Sequence, residues 1–403
     1  MRTAFIVSAL AFIVPALSAP AVIPIAKRAG PVKPDSYVIK FKNGASQSNA
    51  LTGLAEKLRT SGSSITHTYT VWPGFAAILK GDTLDYVRRM PEIESVEQDS
   101  ILSLLEHEVV GPDSVTPSIA TYHDSLVSRG DDSGSFYPGA GVTIYGIDTG
   151  IYTGHQCFGG RATVGKNWII VESDQDENGH GTHTAGTAAC SEYGGAGGAE
   201  VLGLKGEADT CSIVLNKKGS GTLSDVMDGV NWAFNDFKNG NKVAIATMSL
   251  GSQDTRPTPL DQMVQHAIAG GLHFTVAAGN EGLDAQTVSP AHVEEVNTIG
   301  AVDSNKGNEQ AVFSNYGKWI DVWAPGVNVK SAWIGQPDAE NSISGTSMAT
   351  PYVAGILAVA LGKYGQMSPA DLTAALKEHA TPDVKLLPTG TATESTNLLA
   401  QRW

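Results

Sequence analysis

Residues 36–99 carry an alternation of strand-like and helix-like patterns. Apolar and polar residues alternate over Ser36–Phe41, whereas Leu51, Leu54 and Leu58 recur at helical spacing. Elements of the two kinds follow one another in the order βαββαβ, which is typical of a ferredoxin-like α+β domain. The sequence predicts strands at Ser36–Phe41, Ile65–Val71, Gly74–Leu79 and Ile93–Glu97, and helices at Gln47–Leu58 and Thr83–Met90.

After residue 141 the pattern changes to short, continuous apolar runs. Strands that are buried on both faces of a parallel sheet have such sequences, and helices connect them. We therefore predict a doubly wound α/β domain with a mainly parallel sheet, preceded by a linker at Ile101–Asp113. Met348–Leu361 is expected to be a buried helix of this domain. Its strands are predicted at Val142–Ile147, Ser212–Leu215, Val243–Met248, His273–Ala277 and Thr298–Val302.

The N-terminus has the layout of a secretory signal peptide. Arg2 precedes an apolar run from Ala4 to Leu17, and small residues follow this run. The run is short for a bilayer span and contains Pro15, so a cleaved signal is favoured over a membrane anchor. Farther along, Lys27-Arg28 is either a dibasic processing site or a solvated pair in a Pro-rich linker.

Composition narrows the possible functions. Hydrophobic residues make up 41% of the 403 residues, which is enough for a packed core, and the 45 glycines indicate many tight turns. The net charge of −14 (27 basic against 41 acidic residues) argues against nucleic-acid binding, which requires clustered Lys and Arg. In an oxidising compartment Cys157, Cys190 and Cys211 allow one disulfide, with three possible pairings.

Two motifs place chemically active side chains at the ends of predicted elements. Asp148, in the run YGIDTG, follows a buried strand, and functional residues of open α/β sheets lie beyond the carboxyl ends of the strands. An ordinary turn aspartate would have the same local sequence. Ser347, in the run SGTSMATP, begins an apolar helix. It is either a helix cap or a nucleophile that benefits from the helix dipole and from free backbone N–H groups.

A third motif, NGHGTHTAG, contains His180 and His183. Small residues surround His180, so another segment of backbone can approach its ring closely. The two histidines could also be metal ligands, but a hydrolytic zinc site needs a third ligand and a general base, and no glutamate lies between them. The favoured interpretation is therefore an Asp, His and Ser set for nucleophilic catalysis.

Along the chain the three motifs follow in the order Asp, His, Ser. In this order they resemble the motifs of the subtilisin-family serine proteases, most of all those of the fungal proteinase K-like branch. The resemblance implies that Ser347 is the nucleophile, that His180 is its general base and that Asp148 orients the imidazole. The run VAAGN resembles the oxyanion-hole segment, so that Asn280 and the Ser347 backbone N–H would stabilise the oxyanion. Outside this motif, Asn280 would be interpreted as a turn residue.

The resemblance also implies how substrates bind. Two segments would form edge strands that pair with an extended peptide, although the first of them could equally be a surface loop. Leu223 and Val226 would shape an apolar outer pocket, and small, uncharged walls in the primary pocket predict a broad preference for apolar or aromatic residues. The edge strands are Gly219, Ser220, Gly221 and Ser249, Leu250, Gly251, and the primary pocket is lined by Ala277, Ala278 and Gly279.

Structural calcium is a further expectation from the resemblance. The matching positions are Glu294, Val296 and Asp321, which would supply two carbonyl groups and one carboxylate. Asp321 could equally be a solvated acid at the end of a strand. The cysteines of the proteinase K-like branch are not reproduced, since Thr184 and Asn297 stand at two of their positions.

The predicted molecule is a secreted serine endopeptidase that is made as a zymogen. Residues 1–20 would be the signal peptide, residues 21–107 an inhibitor-like propeptide and residues 108–403 the peptidase domain, with self-cleavage near Glu106–Glu108. The expected partners are protein or peptide substrates and the enzyme's own propeptide, without nucleic acid and, after signal removal, without a membrane. The mature enzyme is expected to be a monomer.

Two other classes of function are compatible with the fold. One is a non-catalytic binding protein, for example a peptide-binding or allergen-like surface protein. The other is a metallohydrolase that uses His180 and His183. Neither alternative requires that Asp148, Ser347 and Asn280 occur together in family motifs, so both are less favoured than the endopeptidase.

Overall fold

The computed structural model of the protein describes residues 22–28, 30–59, 61–104, 138–168, 175–206, 215–388 and 394–403. The predicted signal peptide, Cys211 and most of the predicted strand Ser212–Leu215 lie outside these ranges. In the described part of the chain, no helix combines the length and the apolar character that a bilayer span requires.

The N-terminal region has the predicted ferredoxin-like topology. Its antiparallel strands lie in the order β5-β2-β4-β3, and a short strand, β1, pairs in parallel with β5. Apolar residues such as Phe41, Leu54 and Phe75 fill the core of this region. The elements are β1 (Ile25–Ala26), β2 (Val32–Phe41), α1 (Gln47–Leu58), β3 (Ser64–Thr68), β4 (Gly74–Ile78), α2 (Asp82–Val87) and β5 (Ile93–Leu104).

Strand β5 is longer than predicted. The expected linker at Ile101–Asp113 is wrong for its first four residues, because Ile101–Leu104 continue the strand. These residues pair with strands of the second domain rather than with strands of the N-terminal domain. Their sequence therefore lacks the alternation of a strand with one face in solvent.

The second domain is built on a mainly parallel sheet. Its strands and short hairpin strands are β6 (Val142–Ile147), β7 (Ala162–Trp168), β8 (Glu200–Gly206), β9 (Ser220–Thr222), β10 (Val243–Met248), β11 (Leu250–Gln253), β12 (His273–Ala277), β13 (Val288–Ser289), β14 (Asn297–Asp303), β15 (Glu309–Gln310), β16 (Val322–Pro325), β17 (Val329–Ala332), β18 (Glu340–Ile343), β19 (Thr381–Pro382) and β20 (Leu398–Leu399). The sheet has the order β19-β20-β16-β14-β12-β10-β6-β8-β7 and is parallel from β20 to β7.

Helices cover both faces of this sheet, as the doubly wound prediction requires. One apolar cluster lies under α4 and α5, and a second lies under α3 and α6. The predicted buried helix is confirmed, since α6 is buried throughout Thr346–Leu361. Helix α5 begins at a capping box between Thr258 and Asp261, with Pro259 in its first turn. The helices are α3 (His180–Ala189), α4 (Leu223–Asn239), α5 (Pro259–Ala269), α6 (Thr346–Tyr364) and α7 (Pro369–His379).

The central strands agree with the sequence prediction, but one neighbour of β6 was not foreseen. Strands β6, β10 and β12 have the predicted bounds, and Thr298–Val302 lies inside β14. On the other side of β6 the sheet continues with β8, over Glu200–Gly206. Its sequence, EVLGLKG, is interrupted by glycine and lacks the apolar run of the central strands.

The N-terminal domain docks on the ends of α4 and α5. The hydroxyl group of Tyr69 donates to the carbonyl oxygen of Ser224 (2.9 Å), and Trp72 Nε1 donates to Gln262 Oε1 (3.1 Å). The buried carboxylate of Asp99 accepts hydrogen bonds from the N–H (2.9 Å) and the hydroxyl group (2.7 Å) of Ser224. A carboxylate at a helix N-terminus is favourable because the unpaired N–H groups there carry partial positive charge. The N-terminal domain therefore completes the capping of a helix in the second domain.

Two of the three cysteines are described, and both are buried thiols. Contact with the side chain of Cys190, followed by burial, raises the pKa of the Cys157 thiol. The segments that carry them are also joined by a backbone hydrogen bond from Ser191 N to Cys157 O (3.3 Å). Which of the three possible disulfides forms stays an open prediction.

Candidate active site

The candidate site lies at the carboxyl ends of three neighbouring parallel strands. Ile147, at the end of β6, is paired with Met248 of β10, and Met248 is paired with Val276 of β12. The residues that follow these strands are therefore neighbours at one edge of the sheet. They are Asp148 after β6, Ser249 after β10, and Ala278, Gly279 and Asn280 after β12.

Asp148 and His180 form a buried pair. His180 Nδ1 lies 2.8 Å from Asp148 Oδ1 and 3.0 Å from Oδ2, so the Nδ1–H group donates to the carboxylate. The backbone N–H of Thr149 also donates to Asp148 Oδ1 (2.7 Å). With its proton on Nδ1, the neutral imidazole has Nε2 as its basic atom. The pair thus holds the histidine in the tautomer that a general base requires.

A close backbone contact brings the segments of Asp148 and His180 together. The small residues around His180 in the sequence predict such a contact. A methyl group at Gly181 would lie 2.2 Å from the carbonyl oxygen of Gly150, a distance that no side chain can occupy. The N–H of Gly181 donates to Thr149 Oγ1 (2.9 Å). The first turn of α3 is therefore in direct contact with the turn that carries Asp148.

Ser347 is the second residue of α6, and α6 packs against α3. Its hydroxyl group donates to the carbonyl oxygen of Ser249 (3.3 Å), while the Ser249 hydroxyl group donates to the carbonyl oxygen of Ser347 (2.9 Å). These reciprocal bonds fix the start of α6 beside the end of β10. Ser347 is therefore placed at the same edge of the sheet as Asp148.

Asn280 is oriented by the residue that precedes Ser347. Its Oδ1 atom accepts hydrogen bonds from the N–H (2.9 Å) and the hydroxyl group (2.9 Å) of Thr346. Because both partners are donors to it, this atom is the oxygen, and the amide NH2 group points the other way. The preceding residue, Gly279, has φ +105°, and a Cβ there would lie 2.2 Å from Asn315 Nδ2. Only glycine allows this turn.

The two segments predicted to pair with substrate lie on either side of β5. Leu102 is paired with Gly221 and Ser103 with Ser220, and the N–H of Leu104 donates to the carbonyl oxygen of Gly219 (2.9 Å). On the other side, Ser103 is paired with Gly251 and Leu104 with Leu250. The end of β5 thus lies between β9 and β11 of the second domain and pairs with both of them.

The apolar residues predicted to line the pockets are buried beside this strand. Leu102 belongs to the same apolar cluster as Leu223 and Val226. Ala277 and Ala278 are buried as well, and the Ala278 N–H donates to the carbonyl oxygen of Ile299 (3.1 Å).

His183 does not join His180 in a metal site. Its Nε2 atom lies 2.9 Å from the carbonyl oxygen of Val329, which requires a proton on that nitrogen. Burial lowers the pKa of His183 to about 3, so the ring is neutral. Among the residues that the structure describes, no group of three or more His, Cys, Asp or Glu side chains is arranged to hold a metal ion. The geometry therefore gives His183 a structural role.

Asp321, one of the three expected calcium ligands, is already paired with a cationic side chain. Asp321 Oδ1 lies 2.6 Å from the ammonium group of Lys377 in α7, and Asp321 Oδ2 accepts a hydrogen bond from Thr298 N (2.7 Å). Burial raises the pKa of Asp321, and Lys377 acts in the opposite direction. With both carboxylate oxygens engaged, Glu294, Val296 and Asp321 as arranged do not fit a calcium ion unless Lys377 moves away.

One important residue of the site escaped the sequence analysis. The buried carboxylate of Asp176 accepts hydrogen bonds from Thr149 Oγ1 (2.9 Å), from the N–H groups of Asn178 and Gly179 (both 2.9 Å), and from Thr182 N (2.9 Å) and Oγ1 (2.7 Å). It joins the Asp148 turn to the loop and first turn that carry His180. An acid two residues before Asn178 could have been interpreted as a loop cap, but its contact with Thr149 depends on the fold.

Asn315 has a similar supporting role behind Asn280. Its amide nitrogen donates to Ala278 O and Glu281 Oε2 (2.9 and 2.8 Å), and its oxygen accepts from the N–H groups of Glu281 and Leu283 (3.2 and 2.8 Å). No local motif marks Asn315, since it lies 35 residues after Asn280 in the sequence. It holds the turn that presents the Asn280 amide.

Comparison with known proteins identifies the two domains. Residues 139–400 match the subtilase family, and residues 36–105 match the peptidase inhibitor I9 family. The chain belongs to the subtilase family. It is accordingly a subtilisin-like serine endopeptidase of the Asp-His-Ser type, and its I9 propeptide is consistent with a zymogen that carries its own inhibitor.

Similar fungal proteins cover most of this subtilase. The subtilisin-like proteinase Spm1 of Pyricularia oryzae is 38% identical, over 81% of this chain and 67% of its own length. The subtilisin-like serine protease Pen c 2 of Penicillium citrinum is 41% identical, over 77% of this chain and 67% of its own length. A solved cold-adapted subtilisin-like serine proteinase matches 67% of this chain and 92% of its own, with 37% identity and a TM-score of 0.56.

We predict that Asp176→Ala lowers kcat more than it raises KM, because Asp148 and His180 lose their common support. Removal of a buried charged acceptor should also cost about 3 kcal/mol of stability. Peptide hydrolysis kinetics test the first effect, and denaturant unfolding in a Ser347→Ala background tests the second without self-digestion. Glu177→Ala, at the exposed neighbouring residue, is the matched control. Equal effects of the two substitutions would contradict the assigned role.

Proposed function

We propose that this subtilase is a secreted endopeptidase in which Asp148, His180 and Ser347 form the catalytic triad and Asn280 stabilises the oxyanion. The observation that carries the proposal is the buried hydrogen bond between His180 and Asp148 beside the start of α6. A binding protein has no physical need for this pair together with Ser347 and an oriented Asn280. Export is supported only by the signal-like residues 1–20.

The residues act in sequence on an extended peptide. Ser347 Oγ attacks the scissile carbonyl carbon while His180 Nε2 takes the hydroxyl proton. Asp148 stabilises the imidazolium that forms, and His180 then gives the proton to the amine leaving group. A water molecule, activated in the same way, hydrolyses the acyl-enzyme and restores Ser347.

The negative charge that develops on the carbonyl oxygen requires donors that are already in place. We assign this role to two donors at this edge: the Asn280 amide NH2 group and the Ser347 backbone N–H at the start of α6. The bonds from Thr346 to Asn280 Oδ1 support this assignment because they fix the orientation of the amide. Preorganised donors need no rearrangement during the reaction, which is why they lower the barrier.

Strand β5 supports a substrate-like inhibitory mode for the propeptide. It pairs with Gly219–Gly221 and with Leu250 and Gly251, which belong to the two segments proposed to bind substrate. Peptides added to an existing sheet edge gain affinity from main-chain hydrogen bonds, independently of their sequence. Selectivity is then left to the side-chain pockets, which here have apolar walls.

The register of β5 suggests at which peptide bond self-cleavage takes place. Ser103 is opposite Gly251 and Leu104 is opposite Leu250. If the antiparallel ladder continued for one more residue, chain position 105 would be opposite Ser249, whose carbonyl oxygen accepts a hydrogen bond from the Ser347 hydroxyl group. Residue 105 itself lies outside the described residues. We therefore expect cleavage between Leu105 and Glu106, two residues before the boundary at 107 and 108 expected from the resemblance.

A cut at this position agrees with the proposed preference. Leu105 would be the residue whose carbonyl carbon is attacked, and it would occupy the pocket lined by Ala277, Ala278 and Gly279. Leu102, three residues earlier, would occupy the outer pocket next to Leu223. Both are apolar residues facing apolar walls, so peptides with leucine or an aromatic residue at these positions should be good substrates.

We predict that the wild-type protein from culture medium begins at Glu106, whereas Ser347→Ala keeps its propeptide covalently attached. N-terminal sequencing and mass determination of the two proteins, expressed side by side, test secretion, signal removal and self-cleavage together. A Ser347→Ala protein that matures in purified form would contradict self-cleavage. A wild-type start at another residue would contradict the register argument alone.

Reaction with a serine-directed organophosphonate separates the proposal from its alternatives. The mature wild-type enzyme should be labelled at Ser347, and a binding protein should not be labelled at all. A metallohydrolase would instead be inhibited by a chelator and remain insensitive to the phosphonate. Calcium must be restored after chelation, because loss of stability would otherwise resemble loss of a catalytic metal.

We predict that Asn280→Ala lowers kcat by about 10²- to 10³-fold with little change in KM, because the donor acts mainly in the transition state. Steady-state kinetics on an apolar peptide substrate measure both constants. Asn239→Ala, at the exposed end of α4, is the control and should leave both unchanged. A rise in KM at constant kcat would assign Asn280 to substrate binding instead.

Calcium at Glu294, Val296 and Asp321 remains a proposal that rests on the family resemblance. We infer that an ion there would have to displace Lys377, whose side chain is 44% exposed and can swing into solvent. Helix α7 is also held one turn earlier, where the hydroxyl group of Thr373 donates to Asn297 Oδ1 (2.9 Å). Loss of the Lys377 contact would therefore leave α7 docked.

We predict that calcium stabilises Lys377→Met more than wild type, because methionine keeps most of the stem but leaves Asp321 without its cation. Thermal unfolding of both proteins in a Ser347→Ala background, with chelator and then with millimolar calcium, measures this difference. Lys363→Met, at the exposed end of α6, is the control. Equal calcium stabilisation of wild type and Lys377→Met would show that Lys377 does not compete for the site.

A further inference from the structure

The pair Lys27-Arg28 has neither of the two forms that its sequence suggests. A processing site or a solvated linker pair would expose both side chains, and Lys27 is indeed exposed. The Arg28 side chain, however, is only 10% exposed. It lies where three parts of the molecule meet: the segment 22–28, strand β5 of the propeptide, and the loop that follows β11 in the catalytic domain.

The Arg28 guanidinium group bridges two carboxylates from different domains. Towards Glu97 of β5 it forms a bidentate pair, with Nε to Oε1 at 2.6 Å and Nη2 to Oε2 at 2.8 Å. Towards the catalytic domain, Nη1 donates to Asp254 Oδ2 (2.8 Å) and Nη2 donates to the carbonyl oxygen of Pro257 (2.9 Å). A weaker bond of 3.4 Å runs from Nη1 to the carbonyl oxygen of Arg256.

The two carboxylates share this guanidinium group, and Asp254 is also paired with Arg256 (Nε to Oδ1, 3.2 Å). Glu97 and Asp254 are 8% and 7% exposed, so little water compensates their charges. Burial alone would raise the pKa of Asp254, but hydrogen bonds from Arg256 and Arg28 lower it to about 2. Without Arg28, Asp254 would keep Arg256, whereas the buried Glu97 would lose its bidentate partner, and burial raises the pKa of Glu97. A planar fork with several donors suits this position, whereas a lysine ammonium could not bind both carboxylates in the same way.

The backbone around Arg28 is attached to both domains. Strand β1 pairs in parallel with β5, with Ile25 opposite Val96 and Ala26 opposite Glu97. From the catalytic side, Arg256 Nη2 donates to the carbonyl oxygen of Lys27 (3.1 Å). None of these bonds involves the end of β5 that lies in the cleft. A substrate competing for the cleft would therefore not displace them.

We propose that residues 22–28 act as a clasp that holds the cut propeptide on the catalytic domain, and that Arg28 closes this clasp by joining Glu97 to Asp254. The proposal rests on the zymogen function proposed above. After self-cleavage the propeptide is bound only by non-covalent contacts, and the clasp slows its departure. Its catalytic-side partner is the acidic pocket formed by Asp254 and the carbonyl oxygens of Arg256 and Pro257.

The first test follows the release of the propeptide in the full chain. Self-cleaved wild-type, Arg28→Ala and Arg28→Lys proteins are diluted into a peptide substrate, and the lag before full activity is measured. Arg28→Ala should shorten the lag by about ten- to a hundredfold, as expected when a buried charge pair loses one partner. The lag of Arg28→Lys should lie between those of wild type and Arg28→Ala. Arg59→Ala, which removes a 73% exposed arginine of the propeptide, should keep the wild-type lag.

Two outcomes of this test would overturn the clasp. One is an Arg28→Ala complex that activates at the wild-type rate, and the other is an Arg59→Ala complex that activates as fast as Arg28→Ala. Gel analysis of each sample before dilution confirms that the chain has been cut. The double variant Arg28→Ala/Asp254→Ala should activate no faster than the more affected single variant, because both substitutions break the same contact.

A second measurement does not depend on self-cleavage. In the uncut Ser347→Ala chain, trypsin cleavage after Arg28 requires the side chain to leave its pocket. Asp254→Ala in this background should be cut at Arg28 at least ten times faster than its parent, with cleavage after Arg59 unchanged. Equal rates at Arg28 would overturn the clasp. If this test succeeds while the wild-type chain never cuts itself, the proposed self-processing fails, and the clasp stands only as a contact that holds the N-terminal domain on the catalytic domain.

Discussion

The parallel pairing of β6, β10 and β12 determines at which edge of the sheet the proposed active site lies. Main-chain hydrogen bonds align Ile147, Met248 and Val276 across three strands, so the chain leaves the sheet at three adjacent points. Each exit provides a different chemical group, namely the carboxylate of Asp148, the backbone of Ser249 and the amide of Asn280. Helices α3 and α6 then have to approach this edge closely enough to bring His180 and Ser347 to it. The approach is possible because Gly181 has no side chain to collide with Gly150.

Under the proposed function, the same main-chain chemistry lets one cleft serve both substrate and inhibitor. The edges at Gly219–Gly221 and Ser249–Gly251 recognise backbone, and the end of β5 supplies it on both sides. Recognition of this kind cannot by itself distinguish a propeptide from any other extended peptide. The difference has to come from contacts outside the cleft, such as those of Tyr69, Trp72 and Asp99 with α4 and α5.

Local patterns in the sequence predicted whatever depends on neighbouring residues. The apolar runs of β6, β10 and β12 mark strands buried on both faces, and the small residues around His180 anticipate the contact at Gly181. Features that depend on partners distant in the chain escaped prediction. Ile101–Leu104 appeared to be a linker because both of their pairing strands belong to another domain. Asp176 and Asn315 support the site from positions that no motif marks, and Lys377 meets Asp321 only because α7 packs there.

Arg28, the central residue of the proposed clasp, also has partners that are distant in the chain. In the sequence it is half of a dibasic pair, and only the fold reveals that it lies between Glu97 and Asp254. Under the proposed self-cleavage, the inhibitor is also the enzyme's first substrate. It must then bind strongly after its own peptide bond is cut, yet its cleft contacts are those that any product would make. Binding energy from an anchor outside the cleft meets this need because incoming substrates do not compete for it. In the proposed clasp, release of this buried ion pair would therefore set when the enzyme becomes active.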